Sequence, residues 1–264
     1  MSDIIKDRLE RMAKWAKTRK ECEGELGSDK YVRIGGNGFK AVSVAKDSPL
    51  TGFAKSSVKK WSTVKEHFDR KAKDVEGKKE ERRLQAFIIK HALEHNKSLK
   101  DLLGTEINGE SFDDILFSFD EISLGDTRNP VRFNQEFNQK NEGIIRCDLL
   151  CVAVKESVGY PILIELKYDR QLGRLVDQLK EFVFQITSRY QSEFQKMLEQ
   201  ATGLDIDCSK VYKCMIWPRS ASGEEQQTTK DALCDSGITV FEYQPEYNNE
   251  TNLIGVEFQL KNYA

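Results

Sequence analysis

Asp148 and the tripeptide Glu165-Leu-Lys167 are the residues of this chain whose types and spacing fit a chemical task. Asp148 lies within Ile144-Ile-Arg-Cys-Asp-Leu-Leu-Cys-Val-Ala-Val154, and Glu165 and Lys167 close the run that begins at Tyr160. Both stretches are apolar enough to be buried strands. A charge buried there costs several kcal/mol unless it is paired or bound to a metal. Residues i and i+2 of a strand share a face. Glu165 and Lys167 therefore project together, and Ile162, Ile164 and Leu166 project to the other side. With Asp148 facing the same way on the neighbouring strand, two carboxylates and an amine meet. Hard oxygen ligands of this kind suit Mg²⁺ or Mn²⁺. Such a metal polarises a phosphoryl oxygen and helps to generate hydroxide from water. Lys167 is then placed to orient or deprotonate that water, or to stabilise charge developing on phosphorus. These are the requirements of phosphodiester hydrolysis.

The surrounding pattern supplies elements to position these groups. An amphipathic helix is expected over 3–22, with Ile4, Ile5, Leu9, Met12 and Trp15 near one face. Tyr31 to Ile34 and Phe39 to Val44, separated by Gly-Gly-Asn-Gly, read as a β-hairpin, and the Lys-rich stretch 56–76 reads as helical. Leu84, Phe87, Ile88, Ala92 and Leu93 keep helical spacing from Glu80 to His95. Strands follow at Phe112 to Ile122, 144–154 and 160–168, then a long helix over 171–199 with a stripe from Leu172 to Ile186. Val211 to Trp217 is a strand, 223–234 a helix, and Ile238 to Tyr243 the last core strand. This order implies an α/β fold, a mixed sheet with helices on both faces.

Asp148, sixteen intervening residues and Glu165-Leu-Lys167 resemble the PD-(D/E)xK, or restriction-endonuclease-like, nuclease superfamily. The resemblance covers roughly residues 79–244, within a nuclease-like domain expected over 79–264, and leaves 1–78 as a basic, mainly helical N-terminal extension. It implies an αβββαβ core and a Mg²⁺-dependent nuclease, an endodeoxyribonuclease by preference. Asp148 and Glu165 then become metal ligands and Lys167 the catalytic lysine. Many members add a glutamate from the first core helix, which implies Glu81, with Glu80 as the neighbouring alternative. Members of the recombination-nuclease type carry a glutamine on the helix after the lysine. Gln178 is similar to that element, with Gln171 and Gln185 near the same helical face. Cys147 stands where the family name has proline. Asp69-Arg-Lys71 and Glu76-Gly-Lys78 match the tripeptide too, but they lie in polar sequence and read as solvated surface.

Charge is unevenly placed. Residues 1–78 hold 19 Lys/Arg against 12 Asp/Glu, and the rest hold 22 against 31. A basic arm suits a polyanion such as DNA, while a solvated helical surface explains the same charges. Trp15, Trp61 and the lysines from Lys55 to Lys73 offer stacking and phosphate contacts, although a tryptophan in such a helix more commonly anchors it to a core. The six cysteines show no Cys-x-x-Cys spacing, and there is no apolar leader and no membrane-length apolar run. A reducing, cytoplasmic setting is expected, with nucleic acid as partner, no membrane, and a homodimer as the arrangement for double-strand cutting. Two other readings compete. One is a catalytically inactive nuclease-fold module for nucleic-acid binding or assembly. The other is a zinc protease through His91 and His95, since His91-Ala-Leu-Glu94-His95 matches an inverted zincin signature. No Gly-x-Ser-x-Gly elbow and no dinucleotide fingerprint is present.

Overall fold

The structure, a computed structural model, describes residues 4–26, 30–32, 58–60, 79–124, 131–132, 142–143, 145–170, 172, 174–220, 227–248 and 252–261. In chain order the elements are helix α1 (Ile4–Leu26), strands β1 (Lys30–Val32) and β2 (Val58–Lys60), helices α2 (Lys79–Glu94) and α3 (Lys100–Leu103), and the short strands β3 (Glu106–Ile107) and β4 (Glu110–Ser111). Strands β5 (Asp114–Leu124), β6 (Val131–Arg132), β7 (Glu142–Gly143), β8 (Ile145–Lys155) and β9 (Val158–Leu166) follow. Helix α4 (Leu175–Phe184) runs through a π-turn at Gln185–Arg189 into α5 (Gln191–Thr202). Strands β10 (Asp205–Ile206) and β11 (Tyr212–Pro218), helix α6 (Gln227–Ser236), and strands β12 (Ile238–Asn248) and β13 (Asn252–Lys261) complete the fold.

The central sheet is mixed, as the alternation of strands and helices implied. Its order is β13-β12-β11-β9-β8-β5, with β10 added beside β9. Strands β9, β11 and β12 are parallel, whereas β5–β8, β8–β9 and β12–β13 are antiparallel. Alternate residues feed two cores, as period-2 strands must. Leu150, Val152, Leu163 and Met215 pack with α1, α4 and α5 on one side. Leu149, Cys151, Ile162, Ile164, Leu166 and Ile216 pack with Leu84, Ile88, Ile89 and Ala92 of α2 on the other. From α1, the residues Ile5, Leu9, Met12, Ala13 and Ala16 are buried in the first core. The side chain of Trp15 lies outside the described residues, as does Trp61.

The β8–β9 turn fixes the register that matters. Glu156 and Ser157 have φ of +51° and +70°, the left-handed pair that a two-residue hairpin turn requires. Lys155 therefore faces Val158, and the pairing runs back to Leu149 opposite Ile164. Asp148 and Glu165 are the next residues on the two strands, just beyond that last pair.

Three expectations are corrected. The strand at 30–32 pairs with 58–60, Tyr31 opposite Lys59; the hairpin partner expected at 39–44 lies outside the described residues. Residue 58 thus begins a strand where a helix was expected; 33–57 and 61–78 lie outside the described residues. Main-chain bonds hold so short a ribbon, and they leave no side-chain pattern. The long helix over 171–199 is two helices, because Tyr190 leaves helical geometry (φ −127°, ψ 31°) and its N–H bonds to Gln185 O across a π-turn. Finally, β13 extends the sheet beyond the strand expected to be last, its half-buried Val256, Phe258 and Leu260 alternating with Glu257 and Gln259.

Candidate active site

β8 and β9 part company at Asp148 and Glu165. Beyond Leu149–Ile164, β8 continues its pairing with β5 down to Ile145, while β9 continues alongside β11 up to Leu166. The strands form a fork, and main-chain groups that would bond across it need other partners. Side chains supply them. The Leu166 N–H donates to Asp148 Oδ2 at 2.8 Å. Gln85 Nε2, from α2, donates to the Asp148 carbonyl at 3.0 Å. Gln178 Nε2, from α4, donates to the Arg146 carbonyl and to Glu165 Oε1, the latter at 3.1 Å. The Cys147 thiol lies beneath the fork and donates to the Leu149 carbonyl.

The expected residues meet here. Glu165 is 3% exposed, and Lys167 Nζ stands 3.4 Å from its Oε2. Glu81, in the first turn of α2, accepts the Tyr168 N–H at 3.3 Å, so it closes over the loop just after Lys167. Glu80 precedes it in that turn, where both carboxylates complement the helix dipole. Of the competing glutamines, Gln185 is turned to Glu181 Oε1 at 2.5 Å, and Gln171 lies outside the described residues.

The electrostatics bind these groups into one unit. Burial pushes the Glu165 carboxyl well above its ordinary range, and the negative charges of Asp148 and Glu81 add to this against the opposing Lys167. Burial likewise raises Glu81, with Lys167 opposing and Asp148 adding. Burial alone would lower Lys167, but Glu165, Asp148 and Glu81 together outweigh it and raise its pKa. These charges favour the ammonium form of Lys167, a donor and a positive charge. The thiol of Cys147 is also pushed up, by burial and then by Glu165 and Asp148.

Gln85 escaped the sequence reading, though a signal existed. It is 9% exposed and shares the apolar stripe of α2 with Leu84, Ile88 and Ile89, an unusual place for an amide unless it has a buried partner. A second missed group lies at the carboxyl ends of β9 and β11, beside the middle of β12. Arg170 Nη1 donates to the Pro218 carbonyl at 2.7 Å and to buried Glu242 Oε1 at 2.8 Å. Its guanidinium lies 4.2 Å from the ring centroid of Trp217, and Lys261 Nζ is 3.7 Å from Glu242 Oε2. This cluster clamps the loop that carries Lys167.

His91 and His95 stack with ring centroids 4.0 Å apart at the end of α2, and His95 Nδ1 lies 2.8 Å from the His91 carbonyl. Among the described residues, no group of three or more His, Cys, Asp or Glu side chains is gathered in a way that could hold a metal ion.

Comparison with family models, curated proteins and solved structures finds no match for this chain. Among the described residues no helix is long and apolar enough to cross a membrane.

Proposed function

We propose that this chain is a Mg²⁺-dependent nuclease of the restriction-endonuclease-like type, hydrolysing phosphodiester bonds in DNA. The observation that carries the reading is the fork itself: Asp148 of β8, Glu165 of β9, Lys167 of the loop after it and Glu81 of α2 act on one another's charge, and Gln178 of α4 bonds to Glu165. With the intervening short strands and helices α3 and α5 set aside, the order α2, β5, β8, β9, α4, β11 is compatible with the family's helix, three strands, helix and strand. Mg²⁺ is usually held by one or two carboxylates plus waters. Asp148 and Glu165 would supply those carboxylates; Glu81, bonded to the Tyr168 N–H, would have to turn inward to add a third, since among the described residues no three such side chains are gathered for a metal. Buried Glu165, with the charges of Asp148 and Glu81 acting on it, favours a nearby cation. When bound, Mg²⁺ supplies Lewis acidity toward the phosphoryl group and a more acidic water. Lys167 donates to a phosphoryl oxygen or to the attacking water, and its protonated state suits charge stabilisation. Gln178 holds the Glu165 carboxylate in orientation, and Glu81 holds the Tyr168 backbone.

The test is cleavage of closed plasmid, single-stranded DNA and RNA with Mg²⁺ or Mn²⁺. Asp148→Ala and Lys167→Ala should each lose activity by about 10²-fold or more. Cleavage of the closed circle would assign endonuclease action. Activity equal to wild type in both variants removes the mechanism. Metal-independent DNA binding without turnover would assign the inactive binding module instead, and zinc retained in Glu165→Ala would point to the histidine pair.

A further inference from the structure

We infer that Gln85 is a positioning residue for the carboxylate site: its amide keeps β8 parted from β9 and so holds Asp148 in place. The inference rests on the nuclease reading only for what the site is used for. Two backbone carbonyls of β8, Arg146 and Asp148, face the fork, and each receives a glutamine Nε2, from Gln178 and Gln85 respectively. On the opposite arm the Leu166 N–H is taken by the Asp148 carboxylate. Asp148 is thus gripped at both ends. Gln85 fixes its main chain, and Leu166 orients its side chain toward β9, which carries Glu165. The two glutamines approach from opposite sides, since Gln85 shares its helix with one core and Gln178 shares its helix with the other. Gln85 is itself held by the packing of Leu84, Ile88 and Ile89, so its amide is presented on a rigid helix. Groups that orient a metal ligand from behind typically matter by about 10–100-fold in affinity or activity.

The test uses the full chain, with Gln85→Met, which keeps length and loses the donor, and Gln85→Lys, which keeps a donor. Amide exchange at Leu166, Mn²⁺ affinity and circular dichroism are measured on each. Gln85→Met should keep the native spectrum, speed exchange at Leu166 by about tenfold or more, and weaken Mn²⁺ binding by about 10–100-fold, with Gln85→Lys recovering part of both. Wild-type levels of Leu166 protection and Mn²⁺ affinity in a folded Gln85→Met overturn the inference, as does an equal loss in both variants. If neither variant folds, the wild type decides: slow exchange of the Gln85 side-chain amide protons is expected, and exchange as fast as for an exposed glutamine overturns the role. If the wild type binds no Mn²⁺ and cuts nothing, the nuclease reading fails, and the amide exchange at Leu166 still judges Gln85.

Discussion

Glu165→Gln should make the metal-free protein more stable at neutral and alkaline pH. Glu165 is buried, it faces the charges of Asp148 and Glu81, and Lys167 answers it only at 3.4 Å. The neutral isostere keeps the shape and an acceptor for Gln178 while removing the like-charge repulsion. Replacing buried charge by neutral groups of similar volume commonly gains about 1–4 kcal/mol. Because Gln also gives up the Lys167 pair, a gain of about 1–2 kcal/mol is expected, or a rise in Tm of roughly 2–8 °C for a chain of this size. The pH dependence follows from the raised carboxyl. Below the ordinary carboxylate pKa, Glu165 is protonated in both folded and unfolded chains, and the variant has no advantage. As pH climbs from there toward the raised folded value, the unfolded state loses its proton first, and the wild type loses stability. The advantage of Gln grows through that interval and is constant above it. Thermal denaturation from pH 4 to pH 9 in chelator reads this directly. Adding 10 mM Mg²⁺ at a Kd of about 1 mM should stabilise the wild type by about 1.4 kcal/mol and leave the variant less affected. A Glu165→Gln protein less stable than wild type by about 1 kcal/mol at pH 8 without metal would refute the reasoning, since the carboxylate would then be a net stabilising partner of Lys167.

Substitutions at two further positions test the frame that holds the site. Arg170→Ala strips buried Glu242 of its 2.8 Å partner and leaves Lys261 at 3.7 Å; a loss of about 2–3 kcal/mol in urea denaturation is expected. Arg170→Lys should not restore it, because the stacking on Trp217 and the second bond to Pro218 need a planar guanidinium. Gly159→Ala brings a Cβ to 2.6 Å from both Ile206 Cδ1 and Val152 Cγ1. Both neighbours are buried, so a cost of about 1–3 kcal/mol should appear in the same assay.

The site was legible where chemistry and burial conflict on a strand. Asp148 and Glu165 stand out because they interrupt apolar runs, and the register set by the two-residue turn at Glu156-Ser157 brings each to the first position beyond the last β8–β9 pair. Glu81 and Gln178 followed from the family resemblance, and the structure brings both to the same place. Gln85, Arg170 and Glu242 were not found, because what makes them matter is a contact 63 or 72 residues away in sequence. Periodicity reports which way a side chain faces, not what it meets there. Likewise the stripe from Leu172 to Ile186 continues smoothly, so the break at Tyr190 depends on how that ring enters the core.

The fork has a mechanical side. Leu149 and Ile164 are the last residues joined across it, and they act as its pivot. Each further residue lengthens the lever arm by about 3.3 Å. Asp148 and Glu165 sit one residue out, so a 5° swing of either arm moves their backbone by only about 0.3 Å. Residues farther along the arms, Arg146 and Lys167 among them, travel more for the same swing. The pair of carboxylates therefore sits where a swing of either arm moves the backbone least, while the bond from Gln178 to the Arg146 carbonyl and the clamp on the loop of Lys167 limit the swing farther out.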